Sequence, residues 1–237
     1  MDEHELKHCL VDLAGAQYRS SGRFAYHFAR GKLSMDPVFT ATLVLGLIPD
    51  GARILDLGCG QGVLAAWLLA AGQLHTAGTW CPQWPPPPAG WSFRGLEFVL
   101  REVERARQAF GERATVELGD IRSVEFGPSD AVVIFDVLHY MAPSAQEAVL
   151  RRVRTSLSAG GVLLLRVGDA AGGLPFTFSR WVDQGKLLLM GRGWNKLHCR
   201  AIAAWIELLH GLEFRTRAIP MSANTPFANV LLVAHPL

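Results

Sequence analysis

Ile54-Leu-Asp-Leu-Gly-Cys-Gly-Gln-Gly62 decides the fold. The apolar start reads as a buried strand, the alternating glycines as a tight loop, and the apolar run 63–71 as the helix that follows. A glycine loop at a strand-to-helix junction lets backbone come close to a ligand and aims a helix N-terminus at it. Dinucleotide-binding turns want the pattern Gly-x-Gly-x-x-Gly, and the third of those positions here holds Val63. An acid, Asp56, instead stands two positions before Gly58. A carboxylate there repels a pyrophosphate and suits a ligand that carries an ammonium group.

The spacing Asp56-x-Gly58-x-Gly60-x-Gly62 resembles the first motif of class I S-adenosylmethionine-dependent methyltransferases. The resemblance implies an α/β fold, a Rossmann-like doubly wound seven-stranded sheet closed by a C-terminal antiparallel hairpin and preceded by an N-terminal helical cap. It implies S-adenosyl-L-methionine as cofactor, with Asp56, Gly58, Cys59, Gly60, Gln61 and Gly62 against it. A second strand, Phe93-Arg-Gly-Leu-Glu97, ends in the acid expected to hold ribose hydroxyls, and Phe98 follows it. The distance from Asp56 to Glu97 is about twice the roughly 20 residues usual for such a pair. The excess is an insertion, 72–92, with Trp80, Trp84 and four prolines from Pro85 to Pro88. Proline lacks the N–H donor and fixes φ, so this stretch reads as a surface loop, partly polyproline II. It is either a linker or, through its tryptophans, a lid or partner surface.

Downstream, Ala114-Thr-Val-Glu-Leu-Gly-Asp120-Ile121 is a short strand ending in an acid. In the family it resembles, that acid meets the adenine amino group and the next apolar residue covers the ring, which assigns these roles to Asp120 and Ile121. Asp130-Ala-Val-Val-Ile-Phe-Asp136 is almost wholly apolar, as a central parallel strand buried on both faces should be. Asp136 and Val137, at its end, are expected beside the cofactor. A helix over 145–157, a strand over 162–167, a helix over 200–209 and a terminal strand pair over 214–219 and 229–234 complete the alternation. The expected organisation is a cap and lead-in helix over 1–48 and a methyltransferase core over 49–237.

The chain has 237 residues, enough for one sizeable core, and its 50% hydrophobic and 19% charged content is that of a globular protein. No apolar run reaches the roughly 18 residues of a membrane span, and the charged start Met1-Asp-Glu-His-Glu-Leu-Lys-His lacks the apolar core of a secretory leader. Cys9, Cys59, Cys81 and Cys199 show no Cys-x-x-Cys pairing and no zinc spacing, which predicts reduced thiols and a cytoplasmic location. A net charge of +2 is too even for a protein that works on a phosphate backbone. The arginines at 101, 105, 107 and at 151, 152, 154 alternate with Glu102, Glu104 and Glu147 and read as solvated helix faces.

Methyltransferases acting on the exocyclic amines of bases resemble one another in an Asn- or Asp-Pro-Pro-aromatic motif after strand four; this chain has Asp136-Val-Leu-His139. Cytosine C5 chemistry needs a nucleophilic cysteine there, and none is present. Catechol-type, metal-dependent members place acids where Asp136 and Asp169 fall, but with an asparagine where this chain has Ala170. These comparisons predict a metal-independent enzyme with a small-molecule acceptor and no nucleic-acid partner. His139 is the catalytic candidate: an imidazole there could take a proton as the methyl leaves sulfur. Displacement at a sulfonium gains much from alignment alone, so His139 could equally just line the pocket. Tyr18 and Tyr26 in an aromatic stretch of the cap, Tyr140 beside His139, and Phe176 and Trp181 in the segment 173–199 are the expected acceptor contacts. The basic residues among those aromatics suit an acceptor that is apolar or aromatic with an anionic end, free, carrier-bound or near a membrane. The Thr225–Asn229 turn with the Arg30-Gly-Lys-Leu start is similar to bacterial methyltransferases of aryl-polyene and pigment pathways. Two other readings stay open: a protein that binds S-adenosylmethionine without catalysis, and a Rossmann-type oxidoreductase, against which Val63 argues.

Overall fold

The structure, a computed structural model, describes residues 1–168, 197–221 and 229–237. Helix α1 (Glu3–Ala16) begins on a capping box, with the Glu5 N–H donating to Asp2 Oδ1 at 2.8 Å and the Glu5 side chain accepting the Asp2 N–H. Such a cap is worth about 0.5–2 kcal/mol. Helix α2 (Arg23–Met35) buries Ala25, Ala29 and Leu33. It passes α1 so closely that a Cβ on Gly15 would lie 2.5 Å from Arg30 Cγ. Asp36 ends α2 and caps α3 (Pro37–Val44), where Pro37 occupies the first helical turn without forfeiting a needed donor. Helix α3 stops at Val44 because Gly46, just beyond it, takes the left-handed conformation (φ 55°).

Among the described residues seven strands form a single sheet: β1 (Arg53–Leu57), β2 (Ser92–Glu97), β3 (Thr115–Leu118), β4 (Ser129–Phe135), β5 (Leu157–Gly168), β6 (Phe214–Pro220) and β7 (Asn229–Pro236). Their order is β3-β2-β1-β4-β5-β7-β6, the Rossmann-like arrangement with the antiparallel pair at one side. The intervening helices are α4 (Val63–Thr76), α5 (Leu100–Phe110), α6 (Pro143–Ser156) and α7 (Ile202–Gly211). The chain divides into two compact units, residues 1–131 and 132–237.

In the first unit β1, β2 and β3 are parallel, with Asp56 opposite Gly95 and Glu97 opposite Leu118. Nine of the fourteen residues of α4 are buried, which is why its sequence reads as apolar all round rather than striped. Apolar packing carries α4 past Gly72 to Thr76, so the irregular part of the insertion starts only at Ala77. That part is a strap and not a linker. Trp80 donates its indole N–H to the Pro85 carbonyl at 3.0 Å, and Trp84, 5% exposed, donates to Glu3 Oε1 on α1 at 3.0 Å. The two rings meet edge to face at 5.9 Å, and Ala89 exchanges hydrogen bonds with Asp50 and Gly51.

In the second unit β5 pairs antiparallel with β7, Leu165 opposite Leu232, and β7 with β6, Arg215 opposite His235. β5 runs from Leu157, five residues earlier than the pattern predicts, through the glycines at 160 and 161. Its buried run Val162–Leu165 and the buried stretch Leu231–Ala234 of β7 form the apolar centre, with Trp205 and Leu209 of α7 and Val149, Leu150 and Val153 of α6 also fully or almost fully buried.

Candidate cofactor and active site

The glycine loop follows β1, and its three glycines are each in the left-handed region: Gly58 at φ 77°, Gly60 at 57° and Gly62 at 77°. Side chains rarely adopt that conformation, and at Gly62 a Cβ would also lie 2.7 Å from the Phe110 ring. The loop is anchored by the end of β2. Gly58 and Cys59 donate to the Leu96 carbonyl, and Gly60 donates to Glu97 Oε2 at 2.9 Å. The other oxygen of Glu97 accepts the Val99 N–H at 2.8 Å. Each carboxylate oxygen keeps a lone pair beyond these bonds, so Glu97 is both oriented and able to accept ribose hydroxyls. Gln61 is fully buried, its amide donating to the Ala25 carbonyl at 2.9 Å.

Acidic groups crowd this neighbourhood. Burial, reinforced by Glu97 and opposed by Lys32, pushes the Asp56 carboxyl up to about 8. Burial and the charges of Asp56 and Glu97 raise the Cys59 thiol, and burial with Cys59, Glu102 and Asp56 raises the Tyr18 phenol. Burial opposes any added charge here, and the neighbouring acids oppose a negative one further, so the site disfavours a phosphate more than a cation. These features fit S-adenosylmethionine: a cradle that admits no Cβ at Gly62, a buried carboxylate for an ammonium or sulfonium, and an oriented acid for a diol.

The adenine end is less prepared. Ile121 is buried and Phe98 is 55% exposed. Asp120, by contrast, is engaged by Arg122, which donates to both carboxylate oxygens, and by the Arg122 backbone N–H. Arg122 must turn away before Asp120 can meet an adenine amino group. Tyr18, expected at the acceptor pocket, is fully buried, its hydroxyl donating to the Gln61 carbonyl at 2.9 Å, and it offers an acceptor no surface. Tyr26 is half-buried, with the Arg30 guanidinium 5.4 Å from its ring centre.

In the second unit Asp136 closes β4 with φ 59°, a conformation costing a non-glycine residue roughly 1–3 kcal/mol. Arg166 of β5, 2% exposed, holds both oxygens of its carboxylate. Val137 leads into the single turn Leu138–Tyr140, in which the His139 and Tyr140 rings lie 4.1 Å apart. The His139 carbonyl accepts the His198 N–H at 2.8 Å. Phe176 and Trp181 lie outside the described residues, as does most of the segment 173–199.

Residues 55–163, which contain the glycine loop, Glu97, Asp120 and His139, match the family model described as a methyltransferase domain. Over 132 residues the chain is 33% identical to the carboxy-S-adenosyl-L-methionine synthase of Chromohalobacter salexigens, covering 52% of this chain and 44% of that protein. The match thus spans less than half the length of that curated relative. Among solved structures, mitomycin 7-O-methyltransferase MmcR superposes with a TM-score of 0.60 at 23% identity, over 89% of this chain and 56% of that one. Magnesium protoporphyrin IX methyltransferase from Synechocystis PCC 6803, with bound SAH, superposes with a TM-score of 0.58 at 19% identity over 100% of both chains. These two likenesses are likenesses of fold.

Several residues that shape the second unit escape a motif-based reading. Gln146, fully buried on α6, donates to the carbonyls of Leu138, Met141 and His198 and accepts from Arg200, whose guanidinium also reaches Glu147. The loop after β4 and the stretch 197–200 are thereby tied to one amide. The signal was present: Gln146 falls on the stripe of Val149, Leu150 and Val153, where a polar residue must find partners. Arg166, within the apolar run of β5, is the same kind of signal.

Proposed function

We propose that the chain transfers the methyl group of S-adenosyl-L-methionine to a small, largely apolar or aromatic acceptor without a metal. The observation that carries this reading is the glycine-lined loop flanked by acids, in which Asp56 is 5% exposed and the Gly60 N–H donates to Glu97. Bound there, S-adenosylmethionine supplies a methyl on a positively charged sulfur. Asp56 stabilises that positive charge or the neighbouring ammonium, Glu97 orients the ribose, and the glycine backbone allows close approach. His139 and Tyr140 are the residues of the second unit we assign to the acceptor, with His139 lining the pocket or taking the acceptor's proton. The bidentate hold of Arg166 on Asp136 supports the metal-independent reading, since it commits the strand-four acid to a guanidinium. The free thiols Cys9, Cys59, Cys81 and Cys199 support a reducing, cytoplasmic setting. Among the described residues no helix is long and apolar enough to cross a membrane.

Calorimetry tests the cofactor assignment: S-adenosylmethionine and its demethylated product should bind in the micromolar range, about −8 kcal/mol. Folded protein giving no heat with either ligand would reject the assignment. The 33%-identical relative, named for making a carboxylated S-adenosylmethionine, motivates a second reading in which the cofactor is itself the molecule altered. Mass spectrometry of the recovered nucleoside separates the two. Loss of a methyl, dependent on an added acceptor, fits the first reading, whereas gain of a carboxyl fits the second.

A further inference from the structure

Two residues bind the N-terminal helices to the glycine loop from behind. Tyr18, in the turn between α1 and α2, is fully buried and donates its hydroxyl to the Gln61 carbonyl at 2.9 Å. Gln61 returns the contact, its side-chain amide donating to the Ala25 carbonyl on α2 at 2.9 Å. The Tyr18 ring also stands edge-on to Phe110 at 5.6 Å, and Phe110 is the ring that forbids a side chain at Gly62. Ser21 fastens the same turn to α5 by donating to the Arg105 carbonyl at 2.8 Å.

The need for such a restraint follows from the loop's composition. Gln61 has glycine on both sides, and glycine crosses between left- and right-handed backbone at little cost. The Gln61–Gly62 peptide plane can therefore rotate at low cost on its glycine side, and rotation would turn its carbonyl oxygen out of place. Gly60 and Gly62 have bonds through their N–H groups, to Glu97 and Cys59, and among the described residues the Gln61 carbonyl is held by Tyr18 alone. Both Tyr18 and Ala25 lie before residue 55, where the methyltransferase-domain match begins.

We propose that Tyr18 and Gln61 are positioning residues: a clasp by which the N-terminal helices hold the glycine loop in its ligand-binding form. Nucleoside affinity is then set partly from outside the methyltransferase domain. This inference builds on the proposed cofactor, but the clasp can be read without any ligand.

The test uses the full chain and two substitutions. Tyr18→Phe deletes one hydroxyl and keeps the ring against Phe110. Gln61→Met breaks the bond to Ala25 and also removes the side-chain oxygen of Gln61, which is buried without a hydrogen-bond partner among the described residues, so its stability should stay near that of the wild type. Amide hydrogen exchange of residues 60–63 in the ligand-free protein should accelerate in both variants, and S-adenosylhomocysteine should bind about tenfold more weakly, a change of about 1.4 kcal/mol. Trp84→Phe is the control. It cuts the strap's bond to Glu3 and should lower the melting temperature while leaving loop exchange and affinity unchanged. Unaltered exchange at residues 60–63 in both variants would overturn the clasp. So would affinity losses that merely track melting temperature across all three. Wild-type protein that binds no nucleoside would count against the cofactor instead, and the exchange measurement would still decide the clasp.

Discussion

Glu97 and Gly60 are joined by a 2.9 Å hydrogen bond, so the acid that ends β2 also fixes the loop that follows β1. One carboxylate thus shapes the backbone and, on the proposed reading, would also grip the ribose. Glu97→Ala should weaken S-adenosylhomocysteine binding by about 1.5–3 kcal/mol, because a charge-assisted pair of bonds to the ligand goes and the loop loosens as well. Glu97→Gln should fall between. Titration calorimetry of both variants checks this, and an unchanged affinity in Glu97→Ala would place the ribose elsewhere.

Asp56 makes stability depend on pH. Its folded-state value of about 8 lies above the roughly 3.9 of an exposed aspartate. Between about pH 4 and 8 the folded chain holds a proton that the unfolded chain has lost, so this contribution to stability is full below the window and is lost as pH rises through it. Asp56→Asn should flatten the fall in melting temperature from pH 5 to 8. A cation bound beside Asp56 favours the ionised acid, so S-adenosylmethionine binding at pH 7 should release up to about one proton. Binding heats that do not vary with the ionisation enthalpy of the buffer would count against a cation at this carboxylate.

The Asp136–Arg166 pair is a matter of stability first. Removing one partner of a buried ion pair typically costs about 3–5 kcal/mol, since the remaining charge stays desolvated. Asp136→Ala should therefore cost about that much in urea denaturation, and adding Arg166→Met should restore part of it. Equal losses in the single and double variants would show that the pair is not coupled.

His139→Asn separates proximity from proton transfer. A positioned general base contributes about 10²–10⁴-fold. The expected outcome is smaller, a loss under about tenfold that appears in the acceptor KM, because methyl transfer from a sulfonium depends chiefly on alignment. A thousandfold fall in kcat with normal binding of both substrates, and a lost pH dependence in the variant, would instead make His139 the base.

The loop, the acids at the strand ends and the succession of strands and helices along the chain were legible because each is written in contiguous residues with a distinctive period or spacing. The Asp56 to Gly62 motif, for instance, needs no partner to be recognised. What escaped depends on distant pairing. Nothing beside Tyr18 says that its hydroxyl meets a carbonyl 43 residues on, so an aromatic in the cap looked like a pocket wall. Asp120 carried the expected acid, but only coordinates reveal Arg122 lying across it. The prolines of the insertion correctly excluded helix and inner strand from residue 77 onward, yet gave no hint that Trp84 would tether the strap to Glu3.

The two outer strands of the sheet are β3 and β6, and neither offers a good template to another chain. β3 has only four residues, too few for a stable added pairing. β6 carries exposed Arg215 and Arg217 and ends in Pro220, so an incoming strand would meet two guanidinium charges and a position with no N–H to donate. A fold whose centre is nearly continuous β-branched and leucine-rich strand is thereby guarded at both margins against the edge-to-edge association that such strands invite.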